Sequence, residues 1–237
     1  MSFWSLLLPR DVRNHISSYL DQDNEWYPVI NYKKYLIKYV AKKYDKNNVI
    51  KYMTNLQILD MQFNINFTDE GIKHLTNLQI LYCADNSKFT DKGLKNLTNL
   101  QKLNCGLNNN FTDDGLNYLT KLQMLHCSSN KKFTDKGIKH LTNLQELHCG
   151  SNNNFTDDGL NYLTNLQVLN CRENTNFTNK GISYLTNLKK LYCGYNENFT
   201  KAGIRYYIKK RSKQLTNLKL IPFHMELSEM CENFKSS

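Results

Sequence analysis

The sequence predicts an α/β solenoid, in which short strands and short helices alternate and successive turns stack on one another. The main observation is a run of residues that returns every 22 residues along the chain. One repeat cannot bury its own apolar face, so a fixed period of this length is typical of a stacked repeat array. Three residue types recur without a slip: leucine (Leu56, Leu78, Leu100, Leu122, Leu144, Leu166, Leu188), phenylalanine (Phe67, Phe89, Phe111, Phe133, Phe155, Phe177, Phe199) and glycine (Gly71, Gly93, Gly115, Gly137, Gly159, Gly181, Gly203).

The repeat resembles that of leucine-rich-repeat proteins. Residues 75–86 read Leu-Thr-Asn-Leu-Gln-Ile-Leu-Tyr-Cys-Ala-Asp-Asn, which contains the pattern L-x-x-L-x-C-x-x-N, and the period lies in the range of that family. The continuation Phe-Thr-Asp-x-Gly-Leu resembles the cysteine-containing class in a shortened form. The resemblance covers residues 53 to about 204. It implies a curved solenoid with parallel strands on the concave face and short helices on the convex face.

The limits of the repeat divide the chain into three segments. Residues 1–52 form a helical N-terminal segment, residues 53–204 hold seven regular repeats, and residues 205–237 form a C-terminal capping repeat and tail. The next Leu-Thr-Asn-Leu ends at Leu218, 30 residues after Leu188. This longer step predicts a basic helix within residues 204–214 and a final strand over 218–221.

Each regular repeat is expected to supply one strand and one short helix. Leu78, Leu81 and Cys83 follow the strand period, while Thr90 with the aspartate after it suits a helix start. Gly93 allows a close approach or an unusual backbone angle. A buried asparagine ends each strand and must find hydrogen-bond partners on backbone groups of its own and adjacent coils; these residues are Asn64, Asn86, Asn108, Asn130, Asn152, Asn174 and Asn196.

The cysteines follow the same period. Six of the seven cysteines lie in one column. An even number suggests disulfides, but a free thiol also behaves as a small buried hydrophobe, and this column points into the predicted core. Because the sequence shows no secretory signal, we expect reduced thiols. The six cysteines spaced 22 residues apart are Cys83, Cys105, Cys127, Cys149, Cys171 and Cys193.

Charge and hydropathy restrict the possible partners. The net charge is +10, but residues 52–200 carry 14 basic and 13 acidic side chains, so the array itself is close to neutral. A nucleic-acid-binding sheet needs lysines and arginines on its binding face, so we expect neither nucleic acid nor membrane as the partner of the array. The longest apolar stretch is too short to span a membrane or to form a signal-peptide core, and we expect an intracellular, cytoplasmic protein.

The N-terminal twenty residues resemble the opening of an F-box, the small helical module that binds the adaptor subunit of a ubiquitin ligase. The matching pattern is Leu-Pro-x-Asp-Val-x-x-His-Ile-x-x-Tyr-Leu over residues 8–20. The alternative is a plain helix that covers the open end of the solenoid. By resemblance, the adaptor-binding anchors are Leu8, Pro9, Val12, Ile16 and Leu20.

Residues 31–52 carry an aromatic and aliphatic stripe at helical spacing, with lysines between its members. This pattern predicts an amphipathic helix that packs on the first repeat, since the terminal repeats of a solenoid need caps. A basic helix on an anionic membrane is the alternative. The stripe consists of Tyr32, Tyr35, Leu36, Tyr39, Val40 and Tyr44.

The candidate contact residues are the outward side chains of the strands. They vary between repeats, while the inward positions are nearly identical, and their aromatic, amide and charged groups suit a protein or peptide ligand. The alternative is a solvated surface that binds nothing. The candidates are Asp60, Tyr82, Asn104, His126, His148, Asn170 and Tyr192 in mid-strand, with Arg172 and Tyr195 beyond it.

Motifs for catalysis, metals or cofactors are missing from the sequence. It contains no nucleophile elbow, P-loop or His-Glu-x-x-His pattern. His126, His148 and Glu146 fall close together in the predicted sheet, but histidines on a polar sheet surface are far commoner than zinc sites. We therefore expect no enzyme activity, no cofactor and no metal.

The leading functional hypothesis combines the two resemblances. The F-box-like segment would bind the adaptor of an SCF-type ubiquitin ligase, and the concave sheet would hold a target protein. A plain interaction scaffold without a ligase role is the first alternative, and electrostatic attachment of the basic ends to nucleic acid or membrane is the second. The richness in Asn, Lys, Tyr and Ile is similar to that of proteins from AT-rich amoebal giant viruses and some protists.

Overall fold

The strands of the solenoid form one continuous parallel sheet. The computed structural model describes residues 36–38, 50–51, 54–63, 67–210 and 219–220. In these residues nine strands pair in sequence order, each parallel to the next. The strands are β1 (Leu36–Lys38), β2 (Ile58–Asp60), β3 (Ile80–Tyr82), β4 (Lys102–Asn104), β5 (Met124–His126), β6 (Glu146–His148), β7 (Val168–Asn170), β8 (Lys190–Tyr192) and β9 (Lys219–Leu220).

The register of the sheet repeats the period of the sequence. Leu59 pairs with Leu81 and Leu81 with Leu103, so each residue lies beside the residue 22 positions further along the chain. Equivalent side chains therefore form straight columns, about 4.8 Å apart from strand to strand. Whatever residue type occupies one position of the repeat becomes a ladder along the solenoid.

The helices on the other side of the sheet are short. In the described residues, each strand from β2 to β8 is followed by one helix. Six of these helices have four or five residues, and the seventh, which precedes β9, has ten. In the second regular repeat, Thr90 is the N-cap, and its Oγ1 accepts a hydrogen bond from the N–H of Lys92. The helices are α1 (Asp69–Ile72), α2 (Asp91–Leu94), α3 (Asp113–Leu116), α4 (Asp135–Ile138), α5 (Asp157–Leu160), α6 (Asn179–Ser183) and α7 (Lys201–Lys210).

The core lies between the sheet and the helices and consists of the recurring apolar positions. In the repeat that begins at Leu78, this residue and Leu81, Phe89, Leu94 and Leu97 are all fully buried. The same positions are buried in the repeats that follow, as the periodic sequence predicts, except that Phe199 of the last repeat is half-buried. Because neighbouring repeats share one core, the stack is stable where a lone repeat is not.

The cysteine ladder lies in this core as free thiols. Burial raises the pKa of Cys83, Cys127 and Cys171 well above the ordinary value of a thiol. Cys193, near the end of the array, is half-buried, and burial raises its pKa to about 11. Protonated thiols in apolar surroundings are inert, which agrees with the predicted role as small core residues.

The buried asparagines are satisfied by backbone groups, as expected. The Asn108 Nδ2 donates to the Asn86 carbonyl of the preceding repeat at 2.6 Å, and its Oδ1 accepts from the N–H of Asn110 at 2.9 Å. Asn130 and Asn174 repeat the pattern. The column thus ties each turn to the turn before it and fixes the loop that follows the strand.

The glycine of the helix serves close packing and not backbone freedom. Among the described residues no glycine has a positive φ. A Cβ built on Gly93 would lie 2.5 Å from the Asp69 Oδ1 and 3.0 Å from the Ile72 Cδ1. Glycine is therefore required because the helix of the preceding repeat lies against it.

The helix predicted over residues 31–52 is wrong at Leu36–Lys38, which form strand β1. Leu36 pairs with Ile58, which is one period of 22 residues further along the chain, so the strand extends the ladder of the regular repeats. The open edge of a parallel sheet gains backbone hydrogen bonds from another strand, and this gain outweighs the helical spacing of the aromatic residues. Ile50, one period before Ile72, is also buried in the core.

The C-terminal elements follow the longer step. Helix α7 begins at Lys201, three residues before the predicted start, and β9 pairs with β8 through Lys190 and Lys219. The F-box-like residues Leu8, Pro9, Val12, Ile16 and Leu20 lie outside the described residues, as does the tail after Leu220. No helix in the described part of the chain is both long and apolar enough to cross a bilayer.

Candidate functional site

The predicted contact residues form one row across the sheet. The mid-strand side chains pair in register: Asp60 with Tyr82, Asn104 with His126, and His148 with Asn170. All seven are half-buried, as expected for side chains that stand on an open sheet between neighbours. We call the outward side of strands β2 to β8 the sheet face.

Two histidines and a glutamate form the centre of the sheet face. The ring centroids of His126 and His148 lie 5.3 Å apart with their planes at 44°. The His148 Nε2 is 3.7 Å from the Glu146 Oε2. Burial, together with the neighbouring His148, lowers the pKa of His126 below its ordinary value of 6.5. The His126 ring is therefore neutral near pH 7.

An arginine lies over an aromatic ring at the C-terminal half of the sheet face. The Arg172 guanidinium carbon is 5.6 Å from the ring centroid of Tyr192 on the next strand, within the range of a cation–π contact. Tyr195, three residues after Tyr192, lies at the edge of the sheet and is 54% exposed. The structure thus places Arg172 beside the row and Tyr195 at its border.

Hydrogen bonds between residues two positions apart lie at the ends of several strands. The Asn104 Oδ1 accepts from the N–H of Gly106 at 3.4 Å, and the Asn170 Oδ1 accepts from the N–H of Arg172 at the same distance. The Asp60 Oδ1 accepts from both the N–H and the Nε2 of Gln62. These bonds orient the side chains of Asp60, Asn104 and Asn170 on the sheet face.

A row of left-handed residues borders the sheet face, and the sequence did not predict this conformation. Their φ angles lie between 55° and 62°, although none of them is glycine. The N–H of Leu107 donates to the Ser128 carbonyl of the next repeat at 3.0 Å, and the other members bond in the same way where described. The row consists of Phe63, Asp85, Leu107, Ser129, Ser151, Glu173 and Tyr195.

A second surface that the sequence did not predict is a polar groove at the edge where the strands begin. It is lined almost entirely by the asparagine and glutamine that precede each strand, and we call it the amide groove. Two cavities that share Gln101 and Lys121 make it continuous over seven repeats. Its lining residues are Asn55, Gln57, Asn77, Gln79, Asn99, Gln101, Lys121, Gln123, Asn143, Gln145, Asn165, Gln167, Asn187 and Lys189.

Asparagine ladders fix one wall of the amide groove. The Nδ2 of Asn77, Asn99 and Asn143 donates to the threonine carbonyl one repeat earlier at 2.9–3.0 Å. The position is occupied in one repeat by Lys121, whose Nζ donates to the Asn99 Oδ1 at 2.7 Å. A signal for this wall was present in the sequence, since the Thr-Asn-Leu-Gln run recurs with the same period as the core.

A metal ion would need a group of suitable side chains to hold it. Within the described residues no cluster of three or more His, Cys, Asp or Glu is arranged to hold a metal ion. His74 and His140, which follow helices α1 and α4, are exposed.

Comparisons with known proteins agree on the fold. No model of a known protein family matches the sequence, and no curated protein matches it. An internalin of Listeria monocytogenes is similar in structure, with 20% identity and a TM-score of 0.53 over 75% of this chain and 59% of the internalin chain. A leucine-rich-repeat protein of Leptospira interrogans has 25% identity and a TM-score of 0.58, covering 75% of this chain and 51% of that chain.

A third similar structure is that of the yeast Rad7 and Elc1 complex, where the matched chain has 20% identity and a TM-score of 0.59. The match covers 75% of this chain and 51% of that chain. The chain therefore spans only 51% to 59% of the length of these three relatives in structure. With the parallel sheet in 22-residue register, these likenesses identify the fold of this chain as the curved leucine-rich-repeat solenoid, with its strands on the concave side.

Proposed function

We propose that this chain is a protein-binding scaffold that holds its partner on the sheet face. The observation that carries the proposal is the contrast between the two sides of each strand. The inward position is leucine in all seven repeats from Leu59 to Leu191, whereas the outward neighbour changes from aspartate to tyrosine, asparagine and histidine. The fold requires the first column only, so the second is free to be adapted to a partner.

The chemistry of the sheet face favours a polypeptide partner. It combines aromatic rings, amides and charges of both signs, the groups that protein interfaces use. Tyr192 beside Arg172 joins two of the three side-chain types that most often dominate binding energy. Because strand-end hydrogen bonds orient Asp60, Asn104 and Asn170, these three side chains lose less rotational freedom on binding than unbonded ones do.

The finer proposal is that the scaffold is the substrate receptor of an SCF-type ubiquitin ligase in the cytoplasm. It rests on the resemblance of residues 8–20 to the opening of an F-box. The match to a chain solved in the Rad7 and Elc1 complex, a two-protein assembly, also favours a role beside a second protein. The chain itself performs no chemistry in this proposal, since the partner enzymes supply the catalysis.

Co-expression with a ubiquitin-ligase adaptor subunit tests the finer proposal. The full chain should co-purify with the adaptor, and the Leu8→Asp/Ile16→Asp variant should lose it. The Tyr82→Ala/His126→Ala variant, changed only on the sheet face, should keep the adaptor and lose the target protein. If the adaptor does not bind, or deletion of residues 1–22 changes only solubility, the chain is a scaffold without a ligase role.

Salt dependence tests the electrostatic alternative. Binding to nucleic acid or anionic membrane through the basic ends weakens steeply as salt is raised, because it depends on counterion release. Binding to the near-neutral array should change little. If the protein partner that co-purifies with the chain still binds at high salt, the sheet face is supported as the binding surface. A steep loss of affinity with salt supports the basic ends.

A further inference from the structure

We propose that the amide groove is a second binding site, which takes an extended, uncharged glycan chain. The groove lies at the start of the strands. It is separate from the mid-strand row of the sheet face that contains His126 and His148. This inference goes beyond the proposed protein-binding function and does not depend on it.

The lining of the groove excludes charged and apolar ligands. Among the described residues that line it, only Lys121 and Lys189 are ionised, and each donates to an amide oxygen of the groove, Asn99 Oδ1 and Gln167 Oε1. A polyanionic ligand would meet only these two positive side chains along seven repeats, and both already donate a hydrogen bond to an amide. An apolar ligand would desolvate amides without giving them hydrogen bonds, which is costly. The groove therefore suits a polar ligand without net charge.

The groove presents hydrogen-bonding groups that the fold leaves unused. The Nδ2 of Asn143 and Asn165 is held by the threonine carbonyl of the preceding repeat, which leaves the oxygen of each amide available as an acceptor. No hydrogen bond within the described residues uses the side-chain amides of Gln101, Gln123 and Gln145. Each glutamine amide offers both donors and an acceptor. Hydroxyl groups, which also donate and accept, are their natural partners.

The spacing of the amides favours a glycan over a peptide. The main chain of Gln123 donates to Gln101, and that of Gln145 to Gln123, so the glutamines keep the strand spacing of about 4.8 Å. An extended peptide repeats its outward groups about every 6.6–6.8 Å and loses register after one or two repeats. Each sugar unit of an extended glycan carries hydroxyl groups on several sides of its ring, so every unit can present one to an amide of the groove whichever way it faces, and the glutamine side chains are long enough to follow it.

Affinity gel electrophoresis of the full chain tests the proposal. The gels contain a soluble β-glucan, a galactomannan or a xylan, with heparin as a charged polymer and a polyglycine-serine peptide as a main-chain probe. We expect at least one neutral polysaccharide to retard the protein equally at low and high salt. Retardation by none of the three, or by heparin or the peptide alone, overturns the proposal.

Matched variants locate the site. Gln123→Ala/Gln145→Ala should weaken polysaccharide binding by about tenfold or more, since each change removes hydrogen bonds to the ligand. The control Asn117→Ala/Asn161→Ala removes two exposed amides that follow helices α3 and α5 and should bind as the unchanged protein does. Equal weakening by both pairs, or by the sheet-face change His126→Ala, contradicts a site in the groove. A variant that loses the protein partner but still binds the polysaccharide bears only on the proposed scaffold function and leaves the glycan site standing.

Discussion

The Asp91 carboxylate accepts two hydrogen bonds from Thr112 of the next repeat, one from its N–H at 2.9 Å and one from its Oγ1 at 2.6 Å. Asp91 is the first residue of helix α2, and Thr112 is the N-cap of helix α3. The same pair recurs at the other regular junctions from Asp69–Thr90 to Asp157–Thr178. Each helix start is therefore fixed by the carboxylate of the helix before it.

Removal of one such carboxylate should destabilise the array. In Asp113→Ala, both the N–H and the Oγ1 of Thr134 lose their acceptor. Hydrogen bonds to charged groups contribute about 1.5–3 kcal/mol, and we expect a loss of that size in the free energy of unfolding, measured in urea. The control is Asp114→Ala, at the next residue and exposed, which should cost below about 1 kcal/mol through the helix dipole alone. Equal losses of unfolding free energy in the two variants would contradict a stabilising role for the hydrogen bonds between Asp113 and Thr134.

The helical glycines should not tolerate a methyl group. A Cβ at position 93 would lie 2.5 Å from the Asp69 Oδ1, so Gly93→Ala should destabilise by about 1–3 kcal/mol through overpacking. Gly106 is the matched control, because the nearest atom to its Cβ is the Ser128 carbonyl oxygen at 3.5 Å, an ordinary contact. Thermal unfolding of both variants measures the difference. A Gly93→Ala protein as stable as Gly106→Ala would contradict the close approach of the helices.

The last junction carries an asparagine in place of the aspartate. The Asn179 Nδ2 donates to the Thr200 Oγ1 at 2.9 Å, and its Oδ1 is buried without a partner in the described structure. Asn179→Asp restores the carboxylate of the regular junctions and should stabilise this end by about 1 kcal/mol. Slower hydrogen exchange over helix α7 would show it. Asn161→Asp, at an exposed position, should leave that exchange unchanged, and faster exchange in Asn179→Asp would contradict the assignment.

The buried ring of His126 should make stability fall in mild acid. Because the pKa of His126 is lowered in the folded chain from 6.5, the unfolded chain binds more protons as the pH falls through 6.5. The free energy of unfolding therefore decreases from that pH down to the lowered pKa and is unaffected by this group above it. His126→Asn should flatten this slope, whereas Asn161→Ala, at an exposed position without a titrating group, should not. An unchanged slope in His126→Asn would contradict the burial of the ring.

The fold was predictable because its determinants repeat. Leu81, Cys83, Phe89 and the other core positions recur with a fixed period, and a parallel stack places such residues in continuous columns. Strand β1 was missed because the pattern is broken there. Ile37 lies one period before Leu59, but Lys34 replaces the flanking leucine, and the aromatic spacing suggested a helix instead.

The site was predictable only in part. The alternation of the strand was sufficient to place His126 and His148 side by side on the sheet face. The partners of side chains were not predictable, since Asp91 and Thr112 are 21 residues apart and Asp91 suits a local capping role equally well. Nor was the left-handed conformation of Leu107, because propensity favours glycine or asparagine there. The fixed loop geometry imposes it.

Photo-crosslinking tests most directly whether the protein partner binds on the sheet face. A photoreactive phenylalanine is placed at His126, in the middle of the sheet face, or at Tyr162, 50% exposed on the helix side. The protein partner that co-purifies with the chain is then identified in each adduct. We predict that the partner is crosslinked from position 126 and not from position 162. Crosslinking from position 162 alone would contradict the assignment of the sheet face as the binding surface.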